Sequence, residues 1–195
     1  MNRKQVFILI GVLALVCLCA AGLGVAGIAY IGNNFGKAIK NADDPANAQK
    51  IASSIVDYSI PAGYKQMGMD MFVYKYVMLV PDPENYSVSG PMIILMAYPP
   101  NTNLSEKQMQ EQLQRTFASQ GGKNGPMQVV EIKTVQIRGK AAQVTVLEGT
   151  SKSEYQIRQW LTVFTGKKGL VMLMIQGDSN EWSEQLVNDF IASIK

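Results

Sequence analysis

The chain has 195 residues, 47% of them apolar and 17% charged, with a net charge of +3, two cysteines and no histidine. The apolar content is too high for a disordered chain, and two cysteines cannot staple a disulfide scaffold. Without histidine there is no Ser–His–Asp triad, no Cys–His dyad, no His-ligated zinc and no imidazole switch near neutral pH.

From Val6 to Ile31 the chain carries no charged residue. A helix of that length rises roughly 39 Å, more than a hydrocarbon core of about 30 Å. Removing the run lowers the mean hydropathy from +0.03 to roughly −0.4, an ordinary water-soluble value. The sequence therefore predicts an uncleaved membrane anchor, a transmembrane helix at 6–31. A cleaved signal has a shorter apolar region, about 7–15 residues, although the small residues Ala20, Ala21, Gly22 and Gly24 keep a cleavage site in view. Leu15-Val16 before Cys17 is a poor match to a lipoprotein signal. Arg3 and Lys4 precede the run, and Lys37 and Lys40 after it are offset by Asp43 and Asp44. The short stub and large C-terminal part predict residues 1–5 in the cytoplasm and the rest of the chain outside the cell membrane. Cys17 and Cys19 both fall in the run and read as small apolar residues there. Ala20 with Gly24, and Gly22 with Ala26, have the four-residue spacing that lets helices approach closely.

Residues 32–44 read as a juxtamembrane connector, followed by an extracytoplasmic α+β domain at 45–195. Asp44-Pro45 is an N-cap followed by N1, and Ala48, Ile51, Ala52, Ile55 and Val56 predict a helix at 45–57. Residues 59–64 read as a short strand and turn, and 69–80 (MDMFVYKYVMLV) as one long strand, stopped by Pro81 and Pro83. Residues 91–98 are apolar on both faces, as in a buried central strand. A helix follows at 101–120. Ser105 and Gln108 form its capping box, Leu104 and Met109 its staple, and Met109, Leu113 and Phe117 its apolar stripe; Gly121-Gly122 ends it. Strands at about 128–137, 140–149, 154–165 and 169–176, joined by tight turns, predict an antiparallel meander covered on both faces. A last helix at 180–194 is capped by Asp178 or Ser179 and carries Trp182, Leu186, Phe190 and Ile194 in one stripe, with Val187 and Ile191 beside it.

That element order, together with YSIPAGY at 58–64, the helix after Pro99-Pro100 and the terminal FIASIK at 190–195, resembles the PsbP-like fold group of small α/β/α sandwiches. Its members include the extrinsic oxygen-evolving-complex protein and bacterial exported lipoproteins. The resemblance covers 45–195 and implies a central antiparallel sheet flanked by helices, in a binding or assembly factor rather than an enzyme. The predicted anchor departs from the lipid attachment or cleaved signal usual in that group.

No dinucleotide or phosphate-loop glycine motif, GxSxG, HExxH, CxxC or calcium-loop spacing is present. The GGKNG (121–125) and GKKG (166–169) segments read as turns, and Lys167-Lys168 as a solvated hairpin tip. Tyr74-Lys75-Tyr76 alternates on a strand, as a partner surface or as a buried face with one outward lysine. Asp43-Asp44 and Glu181/Glu184 sit at helix starts, where the dipole favours carboxylates. Outside Arg3 and Lys4 the charges nearly balance, and no basic face for nucleic acid is visible.

Methionine, with 11 copies, is the compositional excess. Met67, Met69 and Met71 alternate and would share one face of a strand, as would Met172 and Met174. Such thioethers either fill core gaps or bind a soft ion, Cu(I) or Ag(I); a groove for an apolar ligand is a third reading. The sequence thus predicts a bacterial, single-pass, non-catalytic binding or accessory protein that needs no cofactor. It would be held in the lipid bilayer through 6–31 and would serve a membrane or envelope protein partner. The alternatives are a soft-metal or apolar-ligand binder using Met67, Met69 and Met71, and, with less support, a hydrolase using an unrecognised serine or carboxylate pair.

Overall fold

A computed structural model describes residues 42–71, 74–82, 89–119, 127–150 and 155–195. The apolar run at 6–31 and most of the connector lie outside the described residues. Among the described residues no helix is long and apolar enough to cross a membrane.

Asp44 caps the first helix, α1 (Pro45–Ile55), with Oδ1 accepting from the backbone N–H groups of Ala46 and Asn47 at 2.8 and 3.0 Å. The buried residues of α1 are Ala48, Ile51, Ala52 and Ile55, the apolar stripe read from the sequence. The helix stops two residues short of the predicted end because Val56 is already extended. Residues 59–63 form no strand. Pro61 lacks a ladder donor, and its carbonyl accepts from Tyr64 N–H at 3.1 Å to make a turn instead.

The single strand predicted at 69–80 is two. β1 (Tyr64–Met71) and β2 (Tyr74–Pro81) pair antiparallel up to Met71↔Tyr74, so the chain reverses direction between those residues. No glycine, proline or asparagine punctuates residues 69–80, which is why the hairpin does not show in the sequence. β3 (Met92–Ala97) is the buried central strand expected, with Ile93 to Met96 all buried.

Four further strands form the predicted meander: β4 (Gln128–Ile137), β5 (Lys140–Thr150), β6 (Gln156–Thr165) and β7 (Leu170–Asp178). All pairings are antiparallel, in the order β1-β2-β3-β7-β6-β5-β4. Arg138 and Gly139 both have positive φ, 53° and 72°, as a two-residue type I′ hairpin turn between β4 and β5 requires.

Two antiparallel units, β1–β3 and β4–β7, therefore lie side by side along β3 and β7. β3 and the far edge strand β4 run in the same direction, so the link between them must travel back along the sheet. α2 (Glu106–Ser119) makes that return across one face. Its capping box forms as predicted: Ser105 N–H donates to Gln108 Oε1 at 2.9 Å, and Gln108 N–H to Ser105 Oγ at 3.2 Å. The helix begins at 106 rather than 101. The preceding residues are held in a turn in which Thr102 N–H and Oγ1 both donate to the Pro99 carbonyl, at 3.1 and 2.7 Å.

The opposite face carries α1 over β1–β3 and α3 (Glu184–Ser193) toward β4. α3 starts later than predicted. Asp178 caps only a short 3₁₀ turn, Ser179–Glu181, and Ser183 Oγ accepts from Leu186 N–H at 3.2 Å to cap α3 itself. The break between them leaves Trp182 extended, with its ring centroid 5.9 Å from that of Trp160. Helices thus cover both faces of one antiparallel sheet in an α+β fold, as predicted.

The main core lies between α1, α3 and the sheet: Ile51, Ile55, Val77, Leu79, Leu95, Val144, Val146, Trp160, Phe164, Leu173, Ile175, Phe190 and Ile191 all belong to it. No methionine does.

Candidate functional site: a methionine face

The sheet sorts its methionines completely. β1 alternates Gly68, buried beneath α1, with Met67 and Met69, so the three predicted candidates Met67, Met69 and Met71 all point to the face away from α1. A Cβ on Gly68 would stand 2.7 Å from Ala48 Cα, so only glycine lets α1 lie this close to β1.

The pairing register extends this set across the sheet. One row runs Met69↔Tyr76↔Met96↔Met172, and the next Met67↔Met78↔Ile94↔Met174. Met71 faces Tyr74, and Met92 faces Gln176. Met67, Met69 and Met71 are therefore not separate from Met172 and Met174. They are two ends of one field about 14 Å across, the width of three strand spacings, bridged by Met78 and Met96. Sequence reasoning missed Met78 because in one unbroken strand at 69–80 it falls on the face opposite Met69 and Met71, and missed Met96 because the pairing of β3 with β2 and β7 is not a local property.

Exposure is graded across the field. Met172, Met174, Met96 and Met78 are buried, whereas Met67, Met69, Met71 and Met92 are half-buried, so the field opens toward the β1 edge. Among the described elements the one helix on this face, α2, lies mainly on β6. It is anchored there by Gln110 Nε2, which donates to Thr145 Oγ1 and to the Leu161 carbonyl, each at 3.0 Å. Met109, at 4% exposure, is the buried head of the predicted α2 stripe. Leu113 and Phe117 are half-buried, and Leu104 is exposed.

The remaining polar candidates are bound internally. Glu184, in the first turn of α3, reaches Arg158 at 3.2 Å and Lys133 at 3.6 Å, and Glu148 lies 3.7 Å from Arg158. Lys133 Nζ sits 3.4 Å from the centroid of the Trp160 ring. These groups fasten α3 to β4–β6 by charge pairing and cation–π attraction. Tyr76 is buried, as the second of the two readings of Tyr74-Lys75-Tyr76 expects, but Lys75 is not an outward lysine: half-buried, its Nζ lies 3.4 Å from Asp70 and donates to Ser54 Oγ of α1 at 3.3 Å. Lys167 is no free hairpin tip. Its Nζ lies 2.6 Å from Asp57 and donates to the Ser53 carbonyl at 3.0 Å, while its N–H donates to the Ile55 carbonyl, so it caps the C-terminal end of α1.

Two tyrosines have raised pKa values. Burial pushes Tyr58 well above the usual phenol range, where its hydroxyl donates to Gln66 Oε1 at 2.7 Å. Burial pushes Tyr64 to about 12, and its hydroxyl donates to the Pro91 carbonyl at 2.9 Å.

One cavity of about 170 Å³ is lined by Glu106, Arg138, Lys140, Phe164 and Thr165; another, about 50 Å³, lies between α1 and β1. Both are smaller than the roughly 300–1,000 Å³ usual for small-molecule sites. Among the described residues no three His, Cys, Asp or Glu side chains converge as a metal site would need. Among the described residues thioethers are the soft donors, and the chemistry open to this face is apolar contact and soft-ion ligation. No protein-family model and no curated protein matches the chain.

Proposed function

We propose that this protein is a single-pass, membrane-anchored, non-catalytic accessory protein of a bacterial cell envelope. Residues 6–31 would span the bilayer and the PsbP-like α+β domain would stand outside it. The observation that carries the reading is the methionine face opening at the β1 edge. Methionine is unbranched and polarizable, so a field of it makes an apolar surface that adapts to a partner segment.

The uncharged run at 6–31, read as an anchor, supports a partner in or at the membrane. Gly68 N–H donates to the Ala42 carbonyl at 3.0 Å, so the chain enters the domain against β1. The two small cavities described above favour surface contact over substrate enclosure, and among the described residues no geometry favours a hydrolase.

Site-specific photo-crosslinking in membranes tests this. A crosslinking amino acid at Lys65, exposed on β1 beside Met67, should capture a defined membrane or envelope protein. The same probe at Thr134, exposed on the far edge strand β4, should not. Equal labelling from both positions, or none from Lys65, overturns the reading.

A further inference from the structure

We propose that the β1–β2 corner of the methionine face binds one soft monovalent ion, Cu(I) or Ag(I), through the thioethers of Met67, Met69 and Met78. The inference goes beyond the accessory-protein reading and does not depend on it.

The set is defined by register, not by sequence spacing alone. Met67 and Met78 are direct partners across β1 and β2, which puts their Cβ atoms about 4.5–5.5 Å apart. Met69 follows Met67 on the same face, about 6.5–7 Å along the strand, and is the diagonal neighbour of Met78, about 7–8 Å away. Three side chains with three rotatable bonds each can close their sulfurs on one ion from those positions without moving the backbone. Met71 is one step further along β1, opposite Tyr74, and lies outside the triangle.

The donor chemistry is selective. Thioethers are soft and favour Cu(I) over hard cations such as Mg²⁺ or Ca²⁺. The nearest carboxylate on β1, Asp70, belongs to the opposite face and is paired with Lys75 at 3.4 Å. Half-burial of Met67 and Met69 leaves an approach from solvent, while Met78, at 7% exposure, forms the floor. Thioethers also carry no proton in the working range. Their affinity for the ion should not weaken in mild acid, unlike that of thiolate, imidazole or carboxylate sites, which must first lose a proton.

The test uses the full chain in detergent with Cys17→Ser and Cys19→Ser, so that no thiol competes. Silver nitrate is titrated at pH 7.5 and pH 5 in chloride-free buffer, with methionine methyl NMR as a second readout. One ion should bind per chain, in the micromolar range or tighter, with similar affinity at both pH values. The methyl signals of Met67, Met69 and Met78 should move most. Met67→Leu, Met69→Leu and Met78→Leu together keep the apolar volume and should weaken binding at least tenfold with the unfolding midpoint nearly unchanged. Binding that survives the triple change within twofold, drops tenfold at pH 5, or shifts other methionines instead overturns the proposal. Failure of the Lys65 crosslink would leave it standing, and its own failure would leave the crosslink unaffected.

Discussion

Gly68→Ala tests why β1 presents its methionines outward. The added Cβ would stand 2.7 Å from Ala48 Cα, 3.3 Å from Ala48 Cβ and 3.3 Å from the Ala48 carbonyl oxygen. Two of those atoms are backbone of a capped helix and cannot rotate away. α1 must therefore lift from β1, disturbing Ile51, Ala52 and Ile55, at 4%, 3% and 1% exposure. Overpacking of this kind costs about 1–3 kcal/mol, a fall of several degrees in the unfolding midpoint for a domain of about 150 residues. Urea unfolding followed by fluorescence reads it directly, because Trp160 and Trp182 are the chain's two tryptophans and both lie in this domain. Ala48→Gly in the Gly68→Ala background should recover only part of the loss, since the 2.7 Å contact is with Cα, which glycine keeps. A Gly68→Ala protein within about 0.5 kcal/mol of the parent, which is ordinary for a surface change, would refute the close approach of α1 and β1.

Three further outcomes follow from individual contacts. Ser105→Ala removes the α2 cap and should cost about 1 kcal/mol in urea unfolding; no change would show that the capping box is not formed. Gln110→Leu leaves Thr145 Oγ1 and the Leu161 carbonyl without their donor and should cost about 1–3 kcal/mol, with Thr145→Val in the same chain restoring part of it. Because Tyr64 keeps its proton to about pH 12 when folded but to about pH 10 when unfolded, the folded state holds more protons in that window. Stability should therefore fall as pH rises above 10 and be unaffected by Tyr64 below it. Tyr64→Phe should reduce that slope in urea unfolding measured between pH 9 and 11, with buried Tyr58 supplying a slope of the same sign that remains, and an unchanged slope would refute the contribution of Tyr64.

Much of the domain was legible in the sequence because it rests on local chemistry. The Asp44-Pro45 cap, the Ser105/Gln108 box and the close-spaced meander from residue 128 all depend on residues near one another in the chain, and all form. The predicted α3 stripe forms in part: Phe190 and Ile194 are buried, with Val187 and Ile191 beside them, while Leu186 is half-buried and Trp182 precedes the helix. The alternation of Met67, Met69 and Met71 correctly put them on one face.

The errors arose where long-range packing decided the outcome. The β1–β2 hairpin has no turn signal and is held by its register and by α1 above Gly68. The start of α3 was displaced because Trp182 packs beside Trp160, a partner 22 positions away. Strand order was likewise beyond local pattern: nothing in either segment says that β3 lies beside β7 rather than β4. That neighbourhood, with the β1–β2 register, turns scattered methionines into one surface. Side-chain alternation, a local property, told which residues share a side of their own strand. Which strands stand next to each other, and so which sulfurs can meet, was decided by the tertiary pairing of backbone hydrogen bonds.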